Sequence, residues 1–430
     1  MTQPDPAPRP TPPLVFAATI LPFAAAVGYA GIAVPRWLED EHVSLAAIAW
    51  VSGITLSPHG LKVLWAPLID LLGRRRSWFV AMTLATGVLL GALAFLPDLS
   101  GHMTVFTVLC TLAQIAGTTA AAAADGLMAA TTRPADQGRA SGFRMAGNVG
   151  GTGILGAVAI ELAARTDRRV ACLALAGVVL LSTVAVLPIH EPRRLRAEAA
   201  AAREAFRRLR EIVADLFHTL FSREGWTGLV ICAVPVGAGA LTNLFSGMGE
   251  SYRASMEVVA RVNGLLGGVV GAVGALLGGL LADRMNRRLA YALAGGITAL
   301  SAVAMCLGPL TQATYVWGTL AYNFANGIAF STLAALILDM VGHSPAAATK
   351  YTAFIAVANL AGSYVTWVDG LGSEVGIPRL GIAQLGVRGA LLADVVMTAL
   401  GILALLAMVA VTRRGAAAAP PAPVPAAPDR

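Results

Sequence analysis

Twelve apolar runs dominate the sequence, near residues 14–35, 44–69, 77–96, 103–131, 140–163, 169–189, 225–248, 262–282, 289–308, 312–340, 350–372 and 389–412. A helix needs about 20 such residues to cross a hydrocarbon core of roughly 30 Å, and each run meets or approaches that length. Lipid offers the backbone no hydrogen-bond partners, so segments of this kind must close their own bonds as helices. The pattern therefore predicts an all-α integral membrane protein with twelve transmembrane helices. With 57% hydrophobic and only 13% charged residues, the chain lies far from a soluble domain, in which about a quarter of residues are charged. Soluble enzymes and nucleic-acid binders are excluded on that ground. No HExxH, GxSxG, Walker loop or clustered metal ligands occur, and Cys110, Cys172, Cys232 and Cys306 fall singly within apolar runs. The cysteines read as small core residues. No enzyme activity, cofactor or metal is expected, and the expected partners are a small-molecule substrate and the lipid bilayer, with no nucleic acid.

The net charge of +7 has a topological reading. With the N-terminus in the cytoplasm, twenty-one Lys and Arg fall in cytoplasmic segments and eight on the other side, leaving Lys62 and Arg144 inside spans. Cytoplasmic loops collect positive charge, so both termini are expected in the cytoplasm of a bacterial inner membrane protein. The start MTQPDPAPRPTPP lacks the basic region of a cleavable signal. Five segments follow: a disordered tail at 1–13, a six-helix bundle at 14–189, a cytoplasmic linker at 190–224, a second six-helix bundle at 225–412, and a disordered Pro/Ala tail at 413–430. In the linker, Phe206, Leu209, Val213, Leu216 and Leu220 share one helical stripe, the pattern of an amphipathic helix on the inner leaflet. A monomer is expected.

The two bundles repeat. An offset of 213 residues superposes Asp70, Arg74 and Arg75 on Asp283, Arg287 and Arg288; an offset of 211 superposes Pro134, Arg139, Asn148 and Gly151 on Pro345, Lys350, Asn359 and Gly362. Parallel six-span repeats with a substrate site between them near the midplane are a design of secondary transporters. The stretch GGLLADRMNRR, Gly278 to Arg288, resembles the signature loop of the major facilitator superfamily, and APLIDLLGRRR, Ala66 to Arg76, resembles its first-half counterpart. The chemistry of Asp70, Arg74, Arg75, Asp283, Arg284, Arg287 and Arg288 suits a conformational gate, in which an aspartate pairs with arginines or accepts from a helix N-terminus. The run Lys62-Val-Leu-Trp-Ala-Pro-Leu-Ile-Asp70 is similar to the second span of AmpG-type permeases, and Asp125 also fits that group. That resemblance implies uptake of an amphiphilic solute, a muropeptide or a siderophore, coupled to protons. An acyl-CoA carrier, a drug or metabolite exporter, and a non-transporting receptor or scaffold are the alternatives.

Ionisable residues at membrane depth are functional candidates. Lys62, Asp125 and Arg144 are spaced so as to share one depth, forming a proton-coupling charge cluster with His59 nearby. In the second half Lys62 maps to Ala275 and Arg144 to Ile355, and the candidates there are Tyr322, Asn323, Asn326, Asn359, Ser363, Tyr364 and Trp367. This asymmetry predicts charge handling in one half and neutral polar recognition in the other. Tyr29 is the candidate cavity residue of the first span, and Asp339 and Asp394 read as helix-end packing groups.

Overall fold

The computed structural model describes residues 11–43, 45–72, 74–191, 222–342, 346–376 and 384–417, with Arg207, Arg210 and Ala214. The linker stripe and most of both predicted tails lie outside these residues. Among the described residues all regular structure is helical, and nine stretches are long and apolar enough to cross a membrane. The remaining three spans depart from that standard for identifiable reasons.

The second span is broken into Leu45–Leu56, Pro58–Leu61, a 3-10 turn at Lys62–Leu64 and Ala66–Leu71. Pro58 and Pro67 supply no N–H to the turn before them. The seventh span stops at Ala233 and resumes as short helices at Ala240–Asn243 and Phe245–Met248. Pro235 lies in the gap, and Gly237 and Gly239 hold φ of +59° and +70°, a region that glycine alone enters without strain. A Cβ on Gly239 would also lie 2.4 Å from the Asn326 amide oxygen. The eleventh span, Ala347–Glu374, is a continuous 28-residue helix, but its Thr, Asn, Ser, Tyr and Asp residues leave it less apolar than the rest. The first span carries a π turn at Tyr29–Ala33 just before Pro35, the usual means of absorbing a lost ladder bond.

Two chain-end expectations need correction. Thr11, assigned to a disordered tail, is buried, and its hydroxyl donates to Thr131 Oγ1 at 3.0 Å. The last helix runs from Val387 to Ala417, past the expected boundary at 412, because its final Arg-Arg-Gly-Ala-Ala contains strong helix formers.

The halves meet along the fifth span, Gln137–Arg165, and the eighth, Gly267–Arg284. A Cβ on Gly138 would stand 2.4 Å from Gly279 O, and one on Gly142 would stand 2.9 Å from Ala275 O. Backbone therefore packs on backbone, as small residues allow between membrane helices. On the side of the Arg-rich loops one apolar core joins both halves, including Ile69, Phe79, Leu127, Ile337, Ala347 and Tyr351. On the opposite side each half keeps a separate core, one around Trp37, Leu93 and Phe106 and the other around Phe245, Tyr252 and Tyr315. The molecule is thus sealed on its Arg-rich face and divided on the other.

Candidate functional site

A cavity of about 330 Å³ lies between the halves. From the first half it is lined by Phe23, His59, Lys62, Arg144, Met145 and Asn148, and from the second by Thr242, Asn243, Tyr291, Asn359 and Ser363 among others. The broken second span delivers His59 and Lys62, and the broken seventh delivers Thr242 and Asn243. Both cations, Lys62 and Arg144, come from the first half together with one amide, Asn148, while the second half supplies Thr242, Asn243, Asn359 and Ser363 and no charged residue.

Arg144 and Asp125 form a two-pronged ion pair, with Arg144 Nη2 donating to Oδ2 at 2.8 Å and Nε donating to Oδ1. The planar guanidinium matches the carboxylate fork, and the pairing satisfies two charges that burial would otherwise make costly. Tyr351, from the eleventh span, lies with its ring centroid 5.7 Å from the guanidinium carbon, so the second half closes over this pair. Lys62 is 6% exposed, and its Nζ lies 5.8 Å above the Phe23 ring. Among the described residues it has no carboxylate within ion-pair distance. Lys62 and Arg144 therefore line one cavity, with Asp125 held behind Arg144 as its partner and the Lys62 ammonium separate.

His59 is oriented by a neighbour absent from the sequence reading. Gln114 Nε2 donates to Ala26 O at 2.8 Å, which turns Gln114 Oε1 toward His59 Nε2 at 3.0 Å. Only a donor can meet that oxygen, so Nε2 carries the proton and Nδ1 is left as the second polar atom of the ring. Phe23 packs on the imidazole with ring centroids 4.9 Å apart. A lone polar Gln in the apolar fourth span was the available signal.

Several candidates lie elsewhere. Tyr29 does not line the cavity; it is buried in the first half's separate core, edge-on to Trp37. Tyr322 is likewise buried, with its hydroxyl donating to Asp394 Oδ1 at 3.1 Å. Asn323 turns back to Thr319 O at 2.9 Å, Asn326 packs against Gly239, Tyr364 donates to Ala233 O at 2.7 Å, and Trp367 is exposed. Of that group only Asn359 and Ser363 reach the cavity. A polar side chain in a span has several directions open to it, and spacing alone did not choose among them.

The loop aspartates do cross between halves. Asp70 Oδ2 accepts from Thr349 N at 2.9 Å and from its hydroxyl at 2.8 Å, at the start of the eleventh span. Asp283 accepts from Gly138 N at 2.7 Å, Arg139 N at 2.9 Å and Arg139 Nε at 3.1 Å, at the start of the fifth. Each carboxylate meets unpaired N–H groups at the positive end of a helix in the other half. The arginines behave less uniformly. Arg75 holds Asp70 in place at 2.7 Å, whereas Arg74 stays within its own half, 3.5 Å from Glu191. Arg287 bridges, reaching Gln137 Oε1 at 2.6 Å and Asp339 at 2.8 Å. Arg284 is exposed, and Arg288 N is capped by Asn286 Oδ1 at 3.1 Å.

A multi-pass membrane protein of two six-helix halves around a polar central cavity is the architecture of a membrane transporter. The Major Facilitator Superfamily model matches residues 15–366, and the chain belongs to that family. The human organic anion transporter MFSD10 (TETRAN) is similar in structure, with a TM-score of 0.66 and 15% identity over 91% of this chain and 98% of that one. The proton:xylose symporter XylE bound to 6-bromo-6-deoxy-D-glucose gives 0.63 and 13% over 91% and 93%. FucP in the outward conformation gives 0.63 and 15% over 91% and 97%. At these identities the likeness is one of fold. An uncharacterized protein of Haemophilus influenzae is 39% identical over 89 residues, 20% of this chain and 21% of that protein, so the match spans about a fifth of the relative's length.

Proposed function

We propose that the protein is a secondary transporter that takes up a small amphiphilic organic anion, of the muropeptide-like sugar-peptide or siderophore class, across a bacterial inner membrane with proton coupling. The observation that carries this reading is Lys62: a buried ammonium lining the cavity, with no carboxylate paired to it among the described residues. A cation kept at membrane depth without a partner is costly, and an anionic group on the solute supplies one. Arg144 stands ready to share its fork when the solute's carboxylate competes with Asp125. Across the cavity Thr242, Asn243, Asn359 and Ser363 suit the hydroxyl and amide groups of a sugar, peptide or hydroxamate. The fold neighbour named as an organic anion transporter agrees with this cargo class.

Both termini lie in the cytoplasm in this reading, by the Lys and Arg bias, so the sealed face is cytoplasmic and the divided face is the one the solute enters. The protein works as a monomer. Uptake of radiolabelled muropeptide and of a ferric siderophore into membrane vesicles tests the proposal. Uptake that collapses with the proton gradient and with Lys62→Met supports it; uptake indifferent to both removes it.

A further inference from the structure

A second polar site lies in the C-terminal half, behind the cavity wall. Asp369 on the eleventh span and Asp394 on the twelfth are 0% and 1% exposed. The two helices cross with backbones touching: a Cβ on Gly372 would stand 2.7 Å from both Gly389 O and the Ala393 methyl. Asp369 lies one turn before Gly372 and Asp394 directly follows Ala393, so the crossing brings the two carboxyls within electrostatic reach of each other. Both oxygens of Asp369 and Oδ2 of Asp394 have no hydrogen-bond partner among the described residues. Tyr322 joins the pair from the tenth span, donating to Asp394 Oδ1 at 3.1 Å, and its hydroxyl also lies against the Leu241 backbone.

Among the described residues no cation answers these acids. Arg388, six residues before Asp394, reaches away to Gly308 O at 3.4 Å. Glu374 and Arg253 are exposed, and Arg261 is paired with Glu257. The ninth span, packed against the twelfth, carries no charged residue between Leu289 and Leu307. The nearby hydroxyls of Tyr252 and Tyr315 are spent on Met305 O and Phe245 O. Two buried carboxyl groups with no cation beside them among the described residues need a small cation between them or bear the full cost of buried charge.

We infer that Asp369, Asp394 and Tyr322 form a binding site for a monovalent cation, a proton or a sodium ion, in the C-terminal half and separate from the charge cluster of the cavity. The bound cation cancels one of the two negative charges and is shared between the carboxyls, which lets the eleventh and twelfth spans pack as seen; its loss sets two like charges against each other at the Gly372 crossing. The site also touches the cavity wall. Thr242 and Asn243 line the cavity on the same short turn as Leu241, and Asn243 Nδ2 donates to Thr366 Oγ1 at 3.1 Å, one turn before Asp369. Cation occupancy and solute contact thereby act on the same stretch of the eleventh span. As a coupling device the site rests on the transporter reading, but cation binding itself does not.

The test therefore reads binding without transport. Full-length protein in vesicles of phosphatidylethanolamine and phosphatidylglycerol is examined by infrared difference spectroscopy across neutral pH, with and without sodium, beside a radioactive sodium binding assay. If the cation is a proton, a buried protonated-carboxyl band titrates regardless of sodium. If it is sodium, added sodium removes the band and stoichiometric bound sodium appears. In either case the signal is lost in Asp369→Asn/Asp394→Asn and persists in Asp125→Asn. Tyr322→Phe, which keeps the ring and its packing, displaces the signal along the pH or sodium axis and guards against misfolding of the double variant. No cation-dependent signal in the wild type, or the same signal in all variants, overturns the proposal.

Discussion

Replacing Asp283 with Asn leaves the shape of the gate intact and removes its charge. In the sealed state this carboxylate accepts from two backbone N–H groups at 2.7 and 2.9 Å and from the Arg139 side chain at 3.1 Å. Arg139 is 47% exposed at its side chain, so its ion pair is screened and contributes little. The two N–H groups are better shielded and belong to a helix start. Hydrogen bonds to a charged group are stronger than neutral ones by about 1 kcal/mol each, and the helix end adds roughly half as much again. Asp283→Asn should therefore weaken the seal by about 3 kcal/mol, roughly a 150-fold shift toward the state open on the Arg-rich face. Spin labels at Arg133→Cys and Arg284→Cys, in a background with the four buried native cysteines replaced, would report the separation of the halves by pulsed dipolar spectroscopy. The expected result is a longer-distance population that grows from minor to substantial. A distance distribution identical to that of Asp283 protein would refute the assignment of these bonds as a gate. Asp70→Asn should behave differently, because it also strands Arg75, which is 3% exposed and bound at 2.7 Å. A buried charge stripped of its partner costs roughly 3–5 kcal/mol, so loss of folded protein accompanies opening there.

Other perturbations separate structure from mechanism. Arg144→Met alone strands Asp125 and should lower the melting temperature in detergent sharply, whereas Asp125→Leu/Arg144→Met should restore much of the stability while leaving uptake absent; a double variant as unstable as the single would contradict a self-contained ion pair. Gly142→Val forces a side chain toward Ala275 O and the Gly279 Cα, only 2.9 and 3.0 Å from an added Cβ, and overpacking of this kind costs about 1–3 kcal/mol; unchanged thermal stability would dispute the close crossing of spans five and eight. Glu41, on the loop after the first span, has its carboxyl held below the ordinary value: partial burial works against this, but N–H donation from Ser100 and Leu99 and the nearby Arg168 outweigh it. Its stabilising effect is present above the ordinary carboxylate pKa of about 4.3 and disappears as pH falls through the lower folded value. Acid unfolding of Glu41→Gln should lose that step, a comparison made by circular dichroism against pH.

The spans were legible because lipid permits few solutions: long apolar runs have to be helices, and their lengths located all twelve. The paired loop motif was legible as a repeat, since Asp70 and Asp283 share an offset with their arginines. What the repeat could not show is that each aspartate reaches across to the opposite half, to Thr349 in one case and Gly138 in the other, because the partners are N–H groups that every residue possesses. The cavity was half legible. Lys62, Asp125 and Arg144 stood out as charges in apolar surroundings, and they converge. Tyr29 and Tyr322 did not, since a tyrosine satisfies a core as readily as a cavity. Thr242 and Asn243 were hidden by the broken seventh span, for which Pro235, Gly237 and Gly239 were the unread warning. Asp394, taken for helix-end packing, is instead deep and buried beside Asp369, a pairing made by the close approach of Gly372 and Gly389 rather than by any sequence spacing.

In the proposed function Lys62 is the cation that receives the solute's negative group. Uptake of labelled muropeptide, ferric siderophore and further organic anions into vesicles, compared among Lys62, Lys62→Arg and Lys62→Met proteins at matched abundance, measures that directly. Saturable uptake of at least one anion that survives Lys62→Arg in part and falls at least tenfold with Lys62→Met is the predicted result. Equal uptake by Lys62→Met, or none of any anion by the native protein, contradicts it.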